Sequence, residues 1–160
     1  MEWRNGDYWI SDDKTRLDSE AVCAFLAQSY WANQRSRECI ERSIANSLCY
    51  GVYYREKQIG FARVVTDGAT IFWLGDVFID PQYRGQHLGK HLVQFIVESP
   101  ALQGLTGVLA TNDAHGLYEQ YGFVRDPNRY MRRSGVAPVR EAAETEQPLK
   151  KLRQHKGASG

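Results

Sequence analysis

The segment DVFIDPQYRGQHLGKHLVQFIVE, residues 76–98, decides how the chain is read. Val77, Phe78 and Ile79 form an apolar, β-prone run, and Asp80-Pro81 stops it. Residues 82–88 are mostly polar and contain Gly85, with Gly89 just behind. From Leu88 the apolar residues recur at Leu92, Phe95 and Ile96, flanked by Val93 and Val97. That is helical spacing, with a stripe wide enough to face a core. Pro100 follows its end. The segment therefore reads as strand, tight loop and helix over 86–98. Such a turn leaves backbone N–H groups unpaired at the helix N-terminus. With the helix dipole, they suit a phosphate or pyrophosphate. Gly85 and Gly89 would let the backbone approach that anion closely. Many strand-glycine-helix turns bind nothing, so the segment by itself selects no ligand.

Composition narrows the classes. With 160 residues, 42% of them hydrophobic, the chain can bury the core of one domain. A net charge of +1 argues against general nucleic-acid or acidic-membrane binding, which normally needs a basic excess. The three cysteines, Cys23, Cys39 and Cys49, are odd in number and lack CxxC spacing. They read as reduced, packed thiols of a cytoplasmic protein, with no metal site. The N-terminus lacks the basic-then-apolar layout of a signal peptide, and no apolar run approaches membrane-spanning length.

Outward from the central segment, residues 8–11 read as a first strand. Asp18 caps a helix over 19–28 with Val22, Phe25 and Leu26 inward. Ser36 caps a second helix with Ile40, Ile44 and Leu48 at four-residue spacing. Residues 49–54 and 58–65 form a hairpin, Asp67-Gly68 marks the next turn, and residues 70–79 form the strand that enters the central loop. Residues 107–111 should form a strand parallel to it, since a helix intervenes. Residues 114–121 read as a short helix, with last strands marked by Val124 and residues 130–132. From residue 134 the composition shifts to Ala, Glu, Lys, Gly and Pro, the signature of a mobile tail over 134–160.

Two motifs carry a resemblance. Arg84-Gly85-Gln86-His87-Leu88-Gly89 resembles the coenzyme A pyrophosphate loop of the GNAT superfamily of N-acetyltransferases, Gln/Arg-x-x-Gly-x-Gly/Ala. Arg84 and Gly89 fit its ends, and His87 stands where the middle glycine belongs. Downstream, AHGLYEQYGF over 114–123 resembles the helix after the fifth strand, A-x-x-L-Y-x-x-x-G-F, through Ala114, Leu117, Tyr118, Gly122 and Phe123. The likeness is good over 49–133 and holds only in outline before that. It implies a single mixed α/β domain over 1–133, with a mostly antiparallel central sheet flanked by helices.

The resemblance also implies chemistry. Acetyl-CoA would be cosubstrate and an amine the acceptor, by direct attack in a ternary complex, without a metal. A homodimer is compatible with it. The backbone of Gln86, His87, Leu88 and Gly89, with Arg84, Gly85 and Lys90, would hold the pyrophosphate. Val77, Phe78 and Ile79 would pair with the pantetheine arm, whose amide contact falls on Asn112 or Asp113. Tyr118 would be the general acid toward the departing thiolate; otherwise it is a buried aromatic. Tyr121 should pack. Among bases, Asp76 ranks ahead of Asp113 and His115, because a carboxylate in an apolar strand demands a partner or a task. Asp113 is equally a natural N-cap. Tyr30, Trp31, Arg35 and Trp73 would line the acceptor site, and aromatics with an arginine suit a carboxylate-bearing amine. The same four could instead form an aromatic corner under the sheet. A non-catalytic acyl-CoA sensor is the competing reading.

Overall fold

The computed structural model describes residues 1–133. Met1–Arg125 form one compact unit, and residues 126–133 belong to a second. The tail expected over 134–160 lies outside the described residues.

A six-stranded sheet runs in the order β1-β2-β3-β4-β5-β6. The strands are β1 (Glu2–Asn5), β2 (Tyr8–Ser11), β3 (Leu48–Tyr54), β4 (Lys57–Thr66), β5 (Ile71–Ile79) and β6 (Thr106–Val108). The first five are antiparallel neighbours; β5 and β6 are parallel. The helices are α1 (Ser19–Ala27), α2 (Arg37–Ala45), α3 (Leu88–Val97) and α4 (His115–Glu119). Asp18 accepts from the N–H groups of Glu20 and Ala21, and Ser36 from that of Cys39, so both expected caps form. Asp67 accepts the N–H groups of Ala69, Thr70 and Ile71 and closes the turn into β5.

Two apolar layers sandwich the sheet. Leu88, Leu92, Val93 and Ile96 of α3 pack on Tyr50, Val52, Ala62, Val64, Phe72 and Leu74. Val22, Phe25 and Leu26 of α1 and Ile40 of α2 pack with Cys49, Phe61 and Phe78. Phe72 and Leu74 thus belong to one layer and Phe78 to the other, although even spacing along a strand should keep them on one face. The parity changes at a bulge. Phe61 pairs with Phe78 but Arg63 with Gly75, so Ala62 alone stands against Asp76 and Val77. Asp76 adopts φ 56°, a left-handed conformation that aspartate tolerates better than most residues.

Several expectations need correction. β1 pairs with β2 and was not anticipated; its polar sequence, EWRN, gives a weak strand signal. Leu48 begins β3 instead of ending α2, because the helix stops at Ala45 with a C-cap at Asn46. β6 is three residues long. Among the described residues no strand follows it, and Val124 is exposed.

Candidate active site

β5 has two unlike edges. Toward β4 it is paired as far as Ile79, and the Asp80 N–H continues to the Ile59 carbonyl at 2.8 Å. Toward β6 pairing covers only Ile71–Trp73. From Leu74 to Ile79 that edge has no strand partner among the described residues. Backbone groups of Val77 and Phe78 thus lie on an edge without a strand partner, just before the loop. The Phe78 side chain stacks on Phe25 at 5.1 Å, while Val77 and Ile79 pack against the α3 layer.

The loop at the end of β5 is braced from below. Asp80 accepts from the Gln82 N–H, and Arg84 donates from Nε to the Ile79 carbonyl at 3.1 Å. Tyr83 lies against Tyr54, and Tyr54 against Tyr8. Arg84 thus serves the loop itself. Gly85 sits at φ 84°, where a side chain would be strained. His87 also takes a left-handed conformation, φ 59°, and stands as N-cap of α3 without a side-chain cap bond. The first helical bond runs from the His91 N–H to the His87 carbonyl. The N–H groups of Leu88, Gly89 and Lys90 therefore precede it, at the positive end of the dipole. A Cβ on Gly89 would meet nothing within 4 Å, so the approach is open. A groove of about 400 Å³ lies between the β1–β2 turn and this loop, lined by Trp3, Tyr8, Tyr54, Gln86 and Leu88. It contains none of the expected acceptor residues.

Tyr118, on α4, is 9% exposed and packs edge-on against Phe123. Burial foremost, then the neighbouring Tyr30 and Asp113, push its phenol up to about 12. Its hydroxyl has no protein partner among the described residues. Tyr121 packs on the core, as expected. Asp113 does not cap α4: Ala114 is the N-cap, and its N–H goes to the Thr111 hydroxyl at 3.1 Å.

The link between α1 and α2 reaches the segment after β6. Ser29 donates to the Leu26 carbonyl and accepts from the Ala32 N–H, and the Arg35 N–H bonds the Ala32 carbonyl. This turn buries Ala32 and leaves Tyr30 and Trp31 outward, ring edge against ring face at 4.9 Å. The Tyr30 hydroxyl accepts from the Asn112 N–H at 3.2 Å. Asn112 thus contributes its backbone here and keeps an exposed side chain. Arg35 Nη1 donates to both oxygens of Asp76, at 2.9 and 2.8 Å. Trp73 lies on β5 with its indole beside Gly75.

Asp76 receives a second guanidinium. Arg63 Nε donates to Oδ2 at 2.8 Å, and Arg63 Nη1 to the Ser47 hydroxyl at 3.3 Å. The Asp76 side chain is 2% exposed and both its oxygens are engaged. The carboxylate expected as base is thus held between two guanidiniums. Arg63 and Ser47 were missed by sequence reasoning. The available signal was an arginine inside the apolar run GFARVV, one strand before the equally misplaced aspartate.

Comparison with known proteins agrees with this arrangement. Residues 45–125 match the family model of the acetyltransferase (GNAT) domain. The chain belongs to the GNAT acetyltransferases. This acyltransferase is similar to a Xanthomonas campestris pv. campestris protein described as a GNAT-family acetyltransferase. The two are 40% identical over 79% of this chain and 92% of that one, with a TM-score of 0.76. A Gibberella zeae protein assigned as an acetyltransferase is 27% identical over 86% of this chain and 90% of its own length. Glucosamine-6-phosphate N-acetyltransferase of Arabidopsis thaliana, at 16% identity and a TM-score of 0.58, shares the fold; it covers 79% of this chain and 97% of its own. No helix of the described residues is long and apolar enough to cross a membrane.

Proposed function

We propose that this GNAT acetyltransferase moves the acetyl group of acetyl-CoA to a primary amine by direct attack in a ternary complex. The observation that carries the reading is the unpaired edge of β5, which ends at a braced loop with free N–H groups. The pyrophosphate rests on the N–H groups of Leu88, Gly89 and Lys90, beside Gly85, Gln86 and His87. The pantetheine amides pair with the backbone of Val77, Phe78 and Ile79. The cosubstrate supplies a thioester, activated toward a neutral amine. A C–N bond forms and the C–S bond breaks.

Tyr118 donates a hydrogen bond and then a proton to the departing sulfur. Its raised pKa keeps the phenol protonated wherever the amine is neutral, and its unbonded hydroxyl is available for that contact. The proton lost by nitrogen leaves through water, for which Asp113 and His115 stand at the start of α4. Asp76 is a positioning residue: it fixes Arg35, and with it the α1–α2 link that carries Tyr30 and Trp31. Calorimetry with acetyl-CoA, followed by thiol release against a panel of amines, tests this. Saturable binding with amine-dependent release supports it. Binding with release from no amine would favour a sensor, and absence of binding would overturn the loop assignment.

A further inference from the structure

A buried carboxylate needs one counter-charge, and Asp76 has two. Arg63 alone supplies it: its Nε lies 2.8 Å from Oδ2 and its side chain is only 14% exposed. Arg35 then adds a guanidinium whose charge Asp76 does not require. It also binds sparingly, since one nitrogen, Nη1, makes both contacts. A guanidinium devoted to a carboxylate normally presents two nitrogens side by side. Here Nε and Nη2 of Arg35 have no acceptor among the described residues, and 30% of the side chain is open to solvent. Its position is nevertheless fixed by Asp76 and by the bond of its own N–H to Ala32. The result is a preorganised, partly exposed cation with donors to spare.

Its surroundings limit what it can recognise. Tyr30 and Trp31, five and four residues back in the same link, are 52% and 40% exposed. Large aromatics in the same link as a spare guanidinium suit a ligand with an apolar body and one planar anion. On the same face of the sheet, Asp76 and Arg63 present no free carboxylate that would attract a polyamine. We infer that Arg35 binds the carboxylate of the acceptor, so that the substrate class is amino acids and related amino-carboxylates. The inference rests on the acetyltransferase reading of this site. In the reaction the uncharged amine of the amino acid forms the new C–N bond, its lost proton leaves through water, and the carboxylate stays ionised on Arg35.

The test compares L-amino acids with their carboxamides as acceptors for acetyl-CoA, reading thiol release. The amide's amine is the more easily deprotonated, so a preference for the acid cannot come from a larger fraction of neutral amine. The acids should exceed the amides in kcat/KM by roughly tenfold to a hundredfold, the weight of a charge-assisted bond. The difference should lie mostly in KM. Arg35→Gln should erase the preference while leaving acetyl-CoA affinity intact, and Arg35→Lys should restore part of it. Calorimetry with N-acetyl-amino acids gives a second readout without turnover, and their binding should weaken by a similar factor in Arg35→Gln. Equal rates for acids and amides in the unmodified protein overturn the inference, and they require no variant to fold. So does acetyl-CoA binding with acetylation of neutral or polycationic amines only. Failure of the acetyltransferase reading looks different: acetyl-CoA then fails to bind, or binds without thiol release from an amine of any class.

Discussion

The two sides of the proposed site are built from different materials. The proposed coenzyme side is backbone: an unpaired strand edge, a loop with residues at positive φ, and the first N–H groups of α3. The proposed acceptor side is side chain: Arg35, Asp76, Arg63 and Ser47, gathered from a link, two strands and the residue before β3. A backbone site tolerates many side chains but not bulk or wrong charge at the point of contact. A side-chain network fails when one member is removed, because its buried partners lose their counter-charge. The two sides should therefore break in different ways.

The largest effect belongs to the coenzyme side. Gly89→Glu places a carboxylate where the diphosphate approaches. The space around Gly89 is open and its φ is ordinary, so the fold should survive. Acetyl-CoA affinity measured by calorimetry should fall roughly a hundredfold or more, since charge-assisted N–H contacts are lost and repulsion is added. Unchanged affinity in a folded protein would remove the phosphate role of this loop.

On the acceptor side the corresponding change strikes stability. Asp76→Ala leaves two guanidiniums facing each other and puts alanine at φ 56°. Chemical denaturation should register a loss of about 3 kcal/mol or more. Asp76→Asn keeps the shape and a residue suited to that backbone, and should cost clearly less. Equal costs for the two would show that charge is not what Asp76 contributes.

This contrast also explains what could be read from the sequence. The coenzyme loop was legible because a strand run, two glycines and a helical stripe lie within 23 consecutive residues, 76–98. Its position in the sheet followed from the same local pattern. The α1 and α2 caps, Asp18 and Ser36, were legible for the same reason. The acceptor network was not, because Arg35 and Asp76 are 41 positions apart and only the bulge turns Asp76 toward the α1–α2 face. Residue type flagged Asp76 as anomalous but could not name its partners. It suggested a base, and the fold sets that carboxylate between two arginines. β1 escaped because a polar edge strand lacks the alternation that marks a half-buried one.

Tyr118 is the proposed acid between the two sides. Tyr118→Phe should lower the acetylation rate roughly a hundredfold, in the range of general acid catalysis, with acetyl-CoA affinity nearly unchanged. The pH profile sharpens this. The acid works protonated, and its pKa is raised to about 12, so activity is retained below that value and lost only above it. The rate should rise as the acceptor amine deprotonates and stay level through about pH 10, the ordinary tyrosine value. A falling limb near pH 10 that vanishes in Tyr118→Phe would contradict the raised pKa.

The smallest effect returns to the loop, at the residue that departs from the GNAT pattern. His87 holds φ 59° without a side-chain cap bond, so it carries the strain of a left-handed conformation with no compensating contact of that kind. Glycine avoids that strain but gives the unfolded chain more freedom. Against a left-handed cost of about 1–2 kcal/mol, His87→Gly should stabilise the protein by about 0.5–1 kcal/mol. For a chain of this size that is roughly a 1–4 °C rise in Tm by calorimetry. His87→Ala keeps the strain and should bring no such gain. Acetyl-CoA affinity should change little in His87→Gly, because the diphosphate is held by backbone groups that either residue presents. A marked loss of affinity would instead give the imidazole a place in coenzyme binding, and the coenzyme side would no longer be built of backbone alone.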